Sequence, residues 1–353
     1  MKLVVSFELE NLKNIEILKT NDNVNLIERP VFVALDTLKI QRFLNLVNQY
    51  GTPQALVSNA HPEYLELSAP DIDYHYLPDF LYWTARNLVN GGIVVDRDPE
   101  YCFNFIINKK RINRYLLLKL IEWFELSSYR YTWSGIGKEF DMSRCIAEFD
   151  LIREHVDIIK FQNHILSSSF KILPHFVDND LTINDTVAEH NDSSKVNYGN
   201  NTWVWNNVVG DIFSKSAVSL ITESIEYEKH IHYTEKTLYS VMGLTFPIWV
   251  GGYQQANLWQ QHGFDTFDDI INHDYQYRET LLERCFYAIK DNLKILTDLS
   301  FAKNKKQQNM QRLQNNRFQM VENIQNIYKR SLSRLPKNYK VPFVFPGFET
   351  KIK

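Results

Sequence analysis

Cysteine is scarce in this sequence. Cys102, Cys145 and Cys285 are odd in number, far apart and without C-x-x-C spacing, which excludes a disulfide framework and gives no zinc pattern. Net charge is low too: 39 Lys plus Arg against 42 Asp plus Glu leave −3, so no global field draws the chain to a polyanion. No run approaches the roughly 18 apolar residues that span a bilayer, and Met1-Lys2-Leu3-Val4-Val5-Ser6-Phe7 lacks the apolar stretch of a secretory signal. A cytoplasmic protein with no membrane span is expected. Asp71-Ile72-Asp73 has the spacing of an Asp-x-Asp metal anchor but no supporting context, and no metal or cofactor is expected.

What is present is an ordinary folding composition. Of 353 residues, 44% are hydrophobic and 23% charged, enough to bury two cores at roughly 100–200 residues per domain. Aromatic residues reach 14%, which suits many half-buried contacts.

Short β-like runs alternate with helical ones through the first hundred residues: Lys2 to Leu9, Val31 to Leu35, a helix from Lys39 to Gln49, then Ala55 to Ser58. This order predicts parallel α/β units. Asp79 to Val89 reads as helix, Gly91-Gly92 as its break, and Gly92 to Val95 as a short strand. Tyr101 to Ile107 is an apolar strand that opens a second domain, followed by a helix over Tyr115 to Leu126. Residues 178–201 are crowded with Asn, Asp, Ser and Thr and read as an insertion. The α/β pattern resumes with Ala217 to Ile221, a helix from Thr234 to Met242, and Phe246 to Val250. Helix is expected again over Arg278 to Asp298 and Lys303 to Arg334, the latter with Leu313, Phe318, Met320 and Ile324 as a docking face. Domains of 1–100 and 101–335 follow, with 336–353 as a terminal strap.

The most informative window runs from Tyr233 to Gly252. Thr234 is placed to cap a helix, Glu235 lies in the first turn, and Lys236 stands beside amide groups that attract phosphate. The strand after Gly243 ends in Gly251-Gly252, at the carboxyl edge where open α/β sheets bind ligands. On the residues alone, an ordinary capped helix with a solvated lysine is equally open.

The segment from Ser219 to Ile271 resembles the donor-binding half of fucosyltransferase-like glycosyltransferases of the GT-B class, in their phage and bacterial form. The resemblance is carried by Ile221-Thr222-Glu223-Ser224, Thr234-Glu235-Lys236, Phe246-Pro247-Ile248, Gly251-Gly252 and Gly263-Phe264-Asp265-Thr266-Phe267. Upstream, Phe103 to Arg114 is similar to that family's strand, basic turn and helix-opening arginine; Asn315-Asn316-Arg317-Phe318 is similar to a late element of it. The family's aromatic residue before Thr-Glu-Lys is displaced here, with His232-Tyr233 in its neighbourhood.

The resemblance implies an α/β, GT-B-like fold: two Rossmann-like domains facing across a cleft. It implies transfer of a sugar, with inversion and without a metal, from a nucleotide-diphosphate donor of GDP or UDP type to an acceptor hydroxyl on a glycan, a protein or modified DNA. Arg114 and Lys236 would bind the diphosphate, and Glu235 the ribose; Thr234, Tyr233, Glu223, Gly251 and Gly252 would complete the donor site. An inverting transferase needs a general base; Asp36, His61, Glu63 and Asp79 are candidates, with Glu63 favoured because it follows the strand at Ala55 to Ser58. Two alternatives share these residues: a phage enzyme that glycosylates modified DNA bases, and a catalytically silent nucleotide- or glycan-binding protein. His230-Ile231-His232 as a metal pair, and Trp203 with Trp205 as an acceptor platform, are weaker candidates.

Overall fold

The structure is a computed structural model that describes residues 2–5, 54–58, 73–76, 78–94, 96–107, 111–133, 156–167, 200–223, 231 and 233–334. The chain divides into two compact units, Met1–Phe80 with Gln325–Lys353, and Leu81–Ile324. The first carries a three-stranded parallel sheet in the order β1 (Lys2–Val5), β2 (Gln54–Ser58), β3 (Asp73–Tyr76). The expected elements at Val31 to Leu35 and Lys39 to Gln49, the polar insertion up to residue 199 and the strap 336–353 lie outside the described residues.

The second unit is built on a four-stranded parallel sheet in the order β5 (Tyr129–Trp133), β4 (Tyr101–Ile107), β6 (Ser216–Ile221), β7 (Phe246–Trp249). A parallel sheet is covered on both faces, so its central strands read as unbroken apolar runs; β6 is buried along its whole length. Pro247 has no N–H to give a ladder, and it lies in β7, at the end of the described strand order. The α/β expectation with parallel sheets therefore holds in both units.

Helices flank this sheet: α1 (Asp79–Gly91), α2 (Ile112–Trp123), α3 (Val156–Ser167), α4 (Asn200–Val204), α5 (Gly210–Ser214), α6 (Glu235–Met242), α7 (Gln255–Gln261), α8 (Leu281–Lys290), α9 (Leu293–Thr297), α10 (Leu299–Gln308) and α11 (Met310–Arg334). A π-helical turn, Trp205–Val209, joins α4 to α5. Phe103, Phe105, Leu117, Leu120, Val218, Leu220, Phe246, Leu282 and Phe286 share one core between sheet and helices.

Several local expectations change. No strand forms at residues 92–94, because Ile93 spends its N–H on Asn206 Oδ1 (2.7 Å) and its carbonyl on Trp205 Nε1 (2.7 Å). These bonds, with Asn201 Nδ2 to Thr84 Oγ1 at 3.2 Å, tie α1 to the helices at 200–214. The helix expected over Arg278 to Asp298 is broken at Asn292. That side chain bonds to the backbone N–H and C=O of Asn272 and to Ala288 O, offering polar partners in place of a continued helix. The tail forms α10 and α11, interrupted at Asn309. Leu313, Met320 and Ile324 are buried, whereas Phe318 is 69% exposed; at 100° per residue it stands about 140° round the helix from Leu313.

Candidate functional site

The carboxyl ends of β4 and β6 are fastened together by Thr222, whose Oγ1 donates to Ile106 O at 3.4 Å. The opening turn of α2 lies against the same edge: Arg114 donates through Nη2 to Thr222 O (3.4 Å), and Asn113 Nδ2 donates to Glu223 O (3.2 Å). Both side chains are buried. Glu223 O can only accept, which fixes the amide of Asn113 with Nδ2 toward it and leaves Oδ1 as a buried acceptor with no partner among the described residues.

Glu223, two residues beyond β6, organises the start of α6. Its Oε1 accepts from Thr234 N (3.0 Å) and Thr237 Oγ1 (2.6 Å), and its Oε2 accepts from Thr234 Oγ1. Thr237 Oγ1 in turn accepts from Trp249 Nε1 at 3.0 Å, at the end of β7. Thr234 caps α6 in extended conformation, its hydroxyl accepting from Lys236 N at 3.4 Å. Lys236, 4% exposed, directs Nζ to Glu235 Oε1 (3.0 Å) and Thr234 Oγ1 (3.4 Å).

Two carboxylates and two cations thus occupy one buried cluster, and the carboxylates differ. Burial pushes Glu223 up, outweighing the charge of Lys236 and the hydrogen bonds from Thr234 and Thr237. Burial acts on Glu235 as well, but the charge and hydrogen bond of Lys236, its own backbone N–H and the charge of Arg114 hold it below the usual carboxylate range. Arg114 and Lys236, on different helices, therefore both act on Glu235.

The remaining donor-site candidates have structural duties. Tyr233 is 3% exposed, donates to Gln255 O (2.5 Å), and packs on Trp259 with ring centroids 4.8 Å apart; its ring belongs to the core beneath the loop. The oxygens of Glu223 serve Thr234 and Thr237, which makes it a positioning group. Gly251 has φ +79°, and an added Cβ would stand 2.7 Å from Leu281 Cδ1 and 3.0 Å from Cys285 Sγ, so glycine is needed both for the turn and for the close approach of α8. At Gly252 an added Cβ would meet Gln255 Oε1 at 1.9 Å. Arg284, buried on α8, secures the turn by donating Nε to Gly251 O at 3.0 Å.

Glu63, Asp36 and His61 lie outside the described residues, as do His230 and His232; Asp79 opens α1. Trp205 is buried against Phe213 and Tyr239, packing that removes it from any acceptor platform. The Gly263 to Asp269 block is a clasp: Asn316 bonds Asp265 N (2.9 Å) and O (2.8 Å), and Arg312 grips Asp265 and Asp269. Sequence reasoning missed Asn113, Thr222 and Thr237. Thr237 stands one helical turn after Thr234, the one local signal available. Among the described residues, no group of three His, Cys, Asp or Glu side chains is placed to hold a metal, and no helix is long and apolar enough to cross a membrane.

No protein-family model and no curated protein matches the sequence. Among solved structures, the DNA-modifying enzyme β-glucosyltransferase, determined with and without uridine diphosphoglucose, gives a TM-score of 0.38 at 12% identity, over 80% of this chain and 67% of that one. A mutant T4 phage BGT in complex with UDP-glucose gives 0.36 at 13% identity, over 79% and 62%. Likeness at this level leaves fold and activity to be argued from the chain's own residues.

Proposed function

We propose that this chain is a sugar-nucleotide glycosyltransferase of the GT-B class, fucosyltransferase-like in its donor site. The observation that carries the reading is a buried cluster at the carboxyl edge of a parallel sheet, where Lys236 of α6 stands 3.0 Å from Glu235 Oε1 and Arg114 of α2 donates to Thr222 O at 3.4 Å. That edge is where α/β sheets of this kind bind ligands, and the amino end of α6 adds oriented N–H groups. The diphosphate of a nucleotide sugar is the kind of anion that a guanidinium, an ammonium group and a helix terminus bind together.

Transfer by direct displacement breaks the bond between the sugar's anomeric carbon and the diphosphate oxygen as the acceptor oxygen attacks. Negative charge grows on the departing diphosphate. Arg114 offers a planar pair of donors and Lys236 a compact charge, fixed before the reaction begins and most effective where charge develops. The acceptor's proton goes to a general base, a role for which Glu63 remains the candidate. Glu223 and Thr237 act as positioning residues that hold Thr234 and the start of α6.

The test is a thermal-shift panel of GDP, UDP, dTDP and CMP sugars, since a ligand of the folded state raises the melting temperature. One or two of these raise it for the parent chain, and Arg114→Ala and Lys236→Ala abolish the shift. A nucleotide shift that survives both substitutions refutes the assignment.

A further inference from the structure

Lys236 and Arg114 are not bare cations. Lys236 Nζ stands 3.0 Å from Glu235 Oε1 and 3.4 Å from Thr234 Oγ1, so two of its three N–H donors have partners. Four ionisable side chains, Glu223, Glu235, Arg114 and Lys236, carry formal charges that sum to zero when all are ionised. A diphosphate arriving at this cluster meets a compensated site, and it competes with a carboxylate for the ammonium group.

The two carboxylates are not equivalent competitors. Glu223 is 3% exposed and its oxygens are committed to Thr234 and Thr237, so moving it would dismantle the start of α6. Glu235 has a side chain 17% exposed and holds Lys236 through one oxygen. It is the carboxylate that can yield. Its negative charge also acts on the buried phenol of Tyr239, one turn along α6, so an anion admitted beside an unmoved Glu235 would be repelled at close range.

We propose that Glu235 is a built-in counter-ion that determines specificity: it occupies Lys236 in the empty protein, must be displaced by the incoming diphosphate, and thereby selects against small polyanions. This rests on the reading of Arg114 and Lys236 as diphosphate ligands. Inorganic pyrophosphate displaces the carboxylate and offers it nothing in return. A ligand that carries hydroxyl groups beside its phosphates gives the displaced carboxylate new donors, which offsets the loss.

The test is calorimetric titration of the full chain with inorganic pyrophosphate, UDP and GDP, for the parent, Glu235→Gln, Glu235→Ala and Lys236→Met, each checked for intact folding by thermal melting. Removing the charge of Glu235 should tighten pyrophosphate about tenfold or more, a coupling of ordinary size between charged groups in one site. The better-bound nucleoside diphosphate should gain less than pyrophosphate or weaken, and Lys236→Met should weaken every ligand. If Lys236→Met weakens binding but neither Glu235 variant tightens pyrophosphate, the counter-ion role is wrong while the diphosphate site stands. If none of the three ligands binds in a manner that depends on Lys236, both fall.

Discussion

The two edges of the four-stranded sheet each bury a lysine, and the lysines do different things. At the carboxyl edge Lys236 faces Glu235 beside Glu223 and Arg114. At the amino edge Lys306, on α10 and 1% exposed, donates to Ser216 O (2.9 Å), Ser214 O (3.3 Å) and Gly243 O (3.5 Å). Those carbonyls belong to the first residue of β6, the end of α5 and the cap of α6, so Lys306 serves as a plug for backbone acceptors left over at element ends. Burial lowers it from 10.5 to about 8, against the raising charges of Asp96 and Asp98. A buried lysine is therefore no sign of a site by itself; what separates the two edges is whether its partners are backbone carbonyls or a side-chain carboxylate.

The largest effect expected at the carboxyl edge comes from Glu223→Leu. It strands Thr234 N, Thr234 Oγ1 and Thr237 Oγ1 without their acceptor, at about 3–5 kcal/mol of stability by the cost of buried unsatisfied groups. Urea unfolding reads that loss, and any nucleotide-induced thermal shift should shrink with it; an unchanged midpoint would remove the positioning role.

At the amino edge the effect is one of pH. Lys306 binds its proton more weakly in the folded chain, so the unfolded chain holds more protons between about pH 8 and 10.5. Its contribution to stability is fully favourable above 10.5 and is lost as pH falls through 8, a change on the order of 3 kcal/mol. Unfolding midpoints of Lys306→Met, compared with the parent across that range, should lack this rise while nucleotide binding stays as it was. Parallel pH profiles for the two proteins would contradict the plug.

The smallest effect is expected away from both edges, in the clasp of Arg312 with Asp265 and Asp269, whose side chains are 36%, 33% and 62% exposed. Solvent screens such contacts, so Arg312→Ala should cost about 1 kcal/mol or less, and the difference should narrow in 1 M NaCl. A larger, salt-insensitive loss would place a buried network where the structure shows a half-open one.

The blocks that resembled a glycosyltransferase divide along the same line. Thr234-Glu235-Lys236 was legible as a capped helix start because a cap, a first-turn acid and a cation announce themselves within a few residues, whereas Arg114, on a helix with no side-chain cap and no first-turn acid, was singled out only through the resemblance. The Gly263 to Asp269 block was equally visible, but its Asp265 turned inward to Arg312 and Asn316, and nothing nearby in sequence named those partners. Tyr233, an aromatic residue just before the cap of α6, was taken into the core by Trp259. Phe318 met the opposite fate, since one residue's phase on a helix decides burial and the composition of the tail did not fix that phase.

By itself the amino-acid sequence determined the element types and their parallel α/β succession, the cap at Thr234 and the glycine turn after β7. These are settled over one or two turns by periodicity, side-chain size and local hydrogen bonds. Only the tertiary structure decided that Glu223 supports α6, that Asn113 and Arg114 lean on the end of β6, and that Glu235 holds Lys236. The partner of a buried charge depends on which strand ends the topology brings side by side, and that choice is made by the packing of the whole sheet.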